Sequence, residues 1–242
     1  MKLSVCIPFY NEKDVIETTA RELTSYLDAR FPGDYELIFS DDGSTDGSAD
    51  LIRALCLPNV RVIGHSPNRG KGAAVRDAML AATGEILLFT DTDLAYGTDV
   101  IGETVGCFSK HPESDLVIGS RNLSKNGYSD YPLWRRIASK FYIRILCFAG
   151  GLSQTDSQCG CKAFRNHAAK EIFSRCEVNG FAFDFEVLLW AKALHFRVTE
   201  IPVRVLRHGA SKIRLVRDSF KMLRDLSRIR RSVKKKKRAE GL

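Results

Sequence analysis

"LLFTDTDLAYGTD", residues 87–99, opens as an apolar run and closes as a polar, glycine-containing one, with Asp91 and Asp93 two positions apart where the character changes. A short buried strand that runs into acidic residues is informative only if it repeats, and it does. "LSVCIP" (3–8) stops just before Asn11 and Glu12, and "YELIFS" (35–40) runs into Asp41-Asp42-Gly43-Ser44. "NVRVIGH" (59–65) precedes the glycine-rich "NRGKGAA" (68–74), and "DLVIGS" (115–120) ends at Arg121. Helical patterns fill the gaps, one reaching about Arg30, one starting at Asp46 or Ser48, and one over 70–82. Strands alternating with helices at this spacing predict a mostly parallel sheet with right-handed crossovers, which binds ligands beyond the carboxyl ends of its strands. Every acidic or glycine-rich cluster falls at such an end.

After residue 120 the rhythm changes. "PLWRRIASKFYIRILCFA" (132–149) interleaves apolar residues with Arg135, Arg136, Lys140 and Arg144 at helical spacing, a pattern suited either to a membrane interface or to packing on the core. Two further helices are expected at 183–194 and 213–231. Within the 242 residues no apolar stretch reaches the roughly 18 to 20 needed to span a bilayer, and no secretory pattern opens the chain. A protein on the cytoplasmic face of a membrane is expected. Residues 228–242 hold eight basic residues against Glu240, so this end carries +7 of the formal charge of +8. Such a segment reads as a patch for an anionic membrane surface or nucleic acid, or as a solvated end. The seven cysteines are odd in number and scattered, and Cys159-Gly160-Cys161 lacks zinc-site spacing, so reduced thiols are expected.

The candidate chemistry lies at the strand ends. Asp91 and Asp93, at i and i+2, would face the same side of a strand, and hard cations such as Mg²⁺ take one or two carboxylates together with substrate phosphates. Alone, the pair is as compatible with a turn. Asp41 could accept hydrogen bonds from a base or ribose, although "DDGSTDG" also suits a turn and helix cap. "NRGKGAA" offers close backbone approach, free N–H groups at a helix start and Lys71 as a phosphate partner. It matches neither the P-loop nor the dinucleotide fingerprint.

Together, "VCIPFYNE" (5–12), "FSDDGSTDGS" (39–48), "NRGKGAAVRDAM" (68–79), "DTD" (91–93) and "VIGSR" (117–121) resemble glycosyltransferase family 2. Through "DSQCGCKAF" (156–164), "FAFDFEVL" (181–188) and "HGASK" (208–212) the chain looks closest to its dolichyl- or polyprenyl-phosphate sugar synthases. The resemblance implies an A-type glycosyltransferase fold, Rossmann-like, with a catalytic domain over 1–215 that includes an interfacial helix at 132–149. A basic C-terminal helix and polybasic tail would follow over 216–242.

By resemblance, Pro8, Tyr10, Glu12 and Asp41 would line the nucleotide and Lys71 would approach the diphosphate. Asp91 and Asp93 would hold Mg²⁺ or Mn²⁺, with Asp93 the direct ligand. Arg121 would meet the lipid phosphate together with Arg135 and Ser139, and Lys212 would close over the donor. Mannosyl members tend to carry a glutamine two residues after the second aspartate; Ala95 stands there and cannot ligate. With "NRGKGAAVR" this looks more like the dolichyl-phosphate glucosyltransferases, so the expected reaction is inverting transfer of glucose from UDP-glucose to a polyprenyl or dolichyl phosphate. A GDP-mannose enzyme and a family 2 transferase with a saccharide acceptor are the alternatives, the latter requiring a carboxylate base such as Asp184. A nucleic-acid-binding module would explain only the basic end, so no nucleic-acid partner is expected.

Overall fold

The computed structural model describes residues 2–125, 127–128, 133–207 and 215–241, without the side chains at 133–136, 138, 139, 142, 146 and 215–225. Lys212 and the rest of 208–214 lie outside the described residues, as do the side chains of Arg135 and Ser139.

The strands of the first half are β1 (Leu3–Phe9), β2 (Tyr35–Asp41), β3 (Val60–Gly64), β4 (Ile86–Phe89) and β5 (Leu116–Ser120). Between them run α1 (Ile16–Arg30), α2 (Ser48–Ala54), α3 (Lys71–Ala81) and α4 (Asp99–Lys110). Strand side chains alternate between faces, and the two cores follow that period. Leu3, Val5, Ile7 and Phe9 of β1, with Leu37, Phe39, Ile86 and Leu88, enter one cluster with α1 and α4. Cys6, Ile38, Leu87 and Phe89 enter the other, against α3. Both faces are covered, which is why these strands read as nearly continuous apolar runs.

The second half adds α5 (Leu133–Gly150), β6 (Lys162–Arg165), α6 (Asn166–Phe173), α7 (Phe183–Ala193), β7 (Val198–Pro202) and α8 (Leu215–Ala239). The seven-stranded sheet has the order β3-β2-β1-β4-β6-β5-β7. It is mostly parallel, as expected, but β6 runs antiparallel to both neighbours. The chain therefore enters β6 at the edge where β4 and β5 end.

Helix α8 extends beyond the expected 231, and Leu226, Ile229 and Val233 pack into the second core. Their spacing of i, i+3, i+7 is a helix face, so residues 226–239 are part of the folded body rather than a solvated end. Among the described residues no helix is long and apolar enough to cross a membrane. The seven cysteines are free, six of them buried.

Candidate active site at the strand ends

The loops after β1 and β2 are laced together. The Asn11 N–H donates to Ser44 Oγ at 2.9 Å, Glu12 N–H to Ser48 Oγ at 3.0 Å, and Thr45 N–H to Asn11 Oδ1 at 2.8 Å. Asn11 takes a positive φ of 51° to do so, a conformation asparagine tolerates better than most residues. Pro8 is buried and its carbonyl accepts from Thr92 Oγ1 at 2.9 Å, which ties this loop to Asp91-Thr92-Asp93. Tyr10 is exposed at the rim. Asp41 spends Oδ1 on the Ser44 N–H at 2.8 Å, the turn-forming role that "DDGSTDG" allowed.

Its neighbour Asp42 organises more. Its carboxylate accepts from Asn68 Nδ2 at 2.8 Å and from the Arg69 and Gly70 N–H groups at 2.9 Å, and contacts His65 Nε2 at 2.8 Å. Sequence reasoning passed over Asp42. Of the N–H groups expected to be free at the start of α3, three are engaged: Gly70 donates to Asp42, Gly72 to the Asn179 carbonyl at 2.7 Å, and Ala73 to Gly70. The glycines serve close approach instead. A Cβ on Gly70 would lie 2.5 Å from the Asn179 carbonyl oxygen, and one on Gly72 2.4 Å from that of Val178.

Tight packing there aims Lys71, the first residue of α3, across the sheet edge at Asp91, Nζ to Oδ1 2.5 Å. Burial works against the Lys71 charge, but Asp91 and then Asp184 outweigh it and raise its pKa. Asp91 and Asp93 stand on a turn beyond β4 rather than on the strand itself, which ends at Phe89. Leu94 closes that turn, buried and at φ 46°, while the Leu94 N–H donates to the Asp91 carbonyl. A buried leucine in the left-handed region costs on the order of 1 kcal/mol or more. Asp93 is open to solvent; desolvation within the cleft, then the Asp91 charge, nonetheless raise its pKa.

The entry to β6 closes the far side. A Cβ on Gly160 would sit 2.2 Å from Asp91 Oδ2, so only glycine leaves that carboxylate its place. Lys162 is fully buried, donating to Asp184 Oδ1 at 2.5 Å and to the Cys159 carbonyl at 2.6 Å. Burial raises the Asp184 pKa despite Lys162 and Lys71 nearby. Glu186 accepts from the Glu177 and Val178 N–H groups, bracing the segment that abuts Gly70 and Gly72. Cys161 packs in the core against Thr104.

Arg121 lies on the other flank of this loop. Fully buried Asp156 takes its Nε at 2.7 Å and its Nη2 at 2.9 Å. Burial opposes the Arg121 charge, yet Asp156 holds its pKa well above the usual value. The guanidinium covers the Tyr128 ring at 5.4 Å, and Lys140 of α5 approaches the same ring at 5.7 Å. From sequence Lys140 is named only among the basic residues of that helix, with no role at the site.

Among the described residues no three His, Cys, Asp or Glu side chains gather as a metal centre. Asp91 and Asp93 do supply two crowded carboxylates, a donor set that suits a hard divalent cation sharing its coordination with phosphates.

Comparison with known proteins agrees with this layout. The profile of glycosyl transferase family 2 matches residues 4–173. The chain belongs to that family and is a glycosyltransferase. A dolichyl-phosphate beta-glucosyltransferase of Saccharomyces cerevisiae is 32% identical over 94% of this chain and 74% of its own length. A Homo sapiens protein of the same name is 33% identical, covering 88% and 69% respectively. Among solved structures, glucosyl-3-phosphoglycerate synthase from Mycobacterium tuberculosis in complex with UDP superposes with a TM-score of 0.72 over 95% of this chain and 80% of that one. At 19% identity that likeness speaks to the fold. The same synthase in complex with Mn²⁺, UDP and phosphoglyceric acid also gives 0.72, with 96% of this chain and 78% of that one covered at 20% identity. This family 2 chain thus has the A-type fold that the resemblance implied.

Proposed function

We propose that this glycosyltransferase transfers glucose from UDP-glucose, with inversion, to a dolichyl or polyprenyl phosphate at a membrane surface. The observation that carries the reading is the 30 to 33% identity, over most of the chain, to relatives named dolichyl-phosphate beta-glucosyltransferase. Ala95 in place of a ligating side chain favours glucose over mannose. Residues 1–215 act as the catalytic unit and 216–242 as its basic helical extension.

In this mechanism the loops carrying Pro8, Tyr10, Glu12 and Asp41 receive the nucleoside. Lys71 faces the diphosphate. Asp91 and Asp93 would hold Mg²⁺ or Mn²⁺, which supplies charge neutralisation to a departing diphosphate. The acceptor phosphate is already anionic near neutral pH, so its oxygen attacks the anomeric carbon without a strong base. That fits Asp184, whose carboxylate is engaged by Lys162, and Glu186, which is engaged by backbone N–H groups. Arg121, oriented by Asp156, and Lys140 offer two cations beside the Tyr128 ring, where the acceptor phosphate is held. Arg135 and Ser139 on α5 and Lys212 belong to the same acceptor and closing roles. The exposed apolar face of α5, Phe141 and Phe148 above all, lies in the membrane interface.

The test is purified protein with a panel of nucleotide sugars and a polyprenyl phosphate, following labelled sugar into the organic phase. UDP-glucose should be the preferred donor; transfer to a saccharide but not to lipid phosphate would overturn the reading. Lys140→Gln should raise the acceptor KM about tenfold and leave the donor KM within about twofold, since one charge-assisted contact is worth roughly 1.5 kcal/mol.

A further inference from the structure

At the end of α7 remote from Asp184, by about 12 Å along the helix axis, α5, α7 and α8 enclose a groove of about 580 Å³. Its floor is apolar, formed by Leu189, Ala193 and Val233 of the second core. Around it stand Lys192, Arg230, Arg231, Lys234 and Lys237, and no Asp or Glu lines it. Among the described residues none of these five pairs with a carboxylate, whereas Lys236 on the same helix turns away to Glu177 at 2.7 Å. Lys192 Nζ donates to the Gly151 carbonyl and Lys237 Nζ to that of Ala193 at 3.3 Å, contacts that fix both ammonium groups at the rim with their charge intact.

The groove opens at the carboxyl end of α5, on the buried side of that helix. Gly150, the last residue of that helix, lines it. Two residues earlier Phe148 is 88% exposed, in one stripe with Ile137, Phe141 and Ile145.

We propose that this groove binds one anionic glycerophospholipid, its phosphate on the cationic rim and the start of an acyl chain on the apolar floor. The idea rests on the membrane reading above but concerns a second lipid, separate from the acceptor at Arg121. Two-part chemistry is what selects the occupant. A nucleic acid would use the cations but finds no Phe, Tyr or Trp in the lining, only the ring of His195, and a free anion would leave the floor uncovered.

Flotation with vesicles of phosphatidylcholine, with and without phosphatidylglycerol, tests it on the full chain. Two double variants remove the same charge from α8: Arg230→Gln with Lys234→Gln at the rim, and Lys235→Gln with Arg238→Gln, which lie outside the lining. The rim pair should lose about 30-fold of the phosphatidylglycerol-dependent partition, taking each basic residue at its usual worth near an anionic surface, and the outer pair less than about threefold. Native mass spectrometry should show one phosphatidylglycerol retained by wild type and none by the rim pair. Equal losses in the two pairs, an unchanged rim pair, or loss of the lipid preference on adding an RNA oligonucleotide would each overturn the site. Thermal melting checks that both pairs fold. Sugar transfer in detergent, expected at wild-type rate in both, tests the catalytic reading independently of the groove.

Discussion

Replacing Lys162 by methionine should be among the most damaging single changes outside the nucleotide loops. The side chain is fully buried, its ammonium group shared between Asp184 Oδ1 at 2.5 Å and the Cys159 carbonyl at 2.6 Å, and it lies 5.6 Å from the Phe89 ring centroid. Methionine fills the volume but leaves Asp184, only 5% exposed, without its partner. Stranding one member of a buried pair costs roughly 3 to 5 kcal/mol. For a chain of this size each kcal/mol is about 2 to 4 °C, so the melting temperature should fall by roughly 6 to 20 °C. Burial already raises the Asp184 pKa, and loss of Lys162 raises it further. A carboxyl whose folded pKa exceeds its unfolded one favours folding where it is protonated, so the deficit of the variant should shrink as pH falls toward the unfolded value and widen above it. Asp184→Leu added to Lys162→Met should recover most of the loss, because an apolar pair of similar volume carries no stranded charge. Calorimetry across pH on the two variants is the assay. A shift below about 2 °C for the single variant, or a double variant no more stable than the single, would refute the account of this pair.

Asp93→Ala should melt within about 2 °C of wild type, since its carboxylate makes one hydrogen bond, to the Ala95 N–H, and should abolish metal-dependent transfer; turnover retained with Mg²⁺ or Mn²⁺ would remove Asp93 from the metal site. Gly160→Ala forces a methyl group to within 2.2 Å of Asp91 Oδ2, so the Mn²⁺ concentration for half-maximal activity should rise by about tenfold or more. Asp42→Ala leaves the Arg69 and Gly70 N–H groups without their acceptor, and urea unfolding should record a loss of about 2 to 4 kcal/mol.

The parallel half of the sheet was legible because each strand is a short apolar run buried on both faces. Strands β6 and β7 were not: "KAFR" and "VTEIP" carry charges within the strand, and the Lys162 charge is tolerated only because Asp184 lies 22 positions away in sequence. The same limit applies to the site. Lys71 and Asp91 were found because each ends a recognisable local pattern, although nothing local announces that they pair. Asp42 was missed beside Asp41 because neighbouring residues on a strand end point oppositely, and only the tertiary partners at 65–70 distinguish them. The bond between Arg121 and Asp156 spans 35 residues without a local signal. The end of helix α8 beyond 231 read as a tail because its lysine run masks the apolar face that ends at Val233.

The reversed direction of β6 has a consequence for engineering. Because that strand runs against its neighbours, the few residues leading into it would serve both halves of the proposed reaction: Asp156 fixes Arg121, proposed for the acceptor, and four residues later Gly160 makes room for Asp91, proposed for the donor. Under the proposed mechanism, donor and acceptor preferences are therefore not separable modules. A chimera that exchanges either one must carry residues 156–162 as a single block, and an insertion within that block should silence both substrates at once.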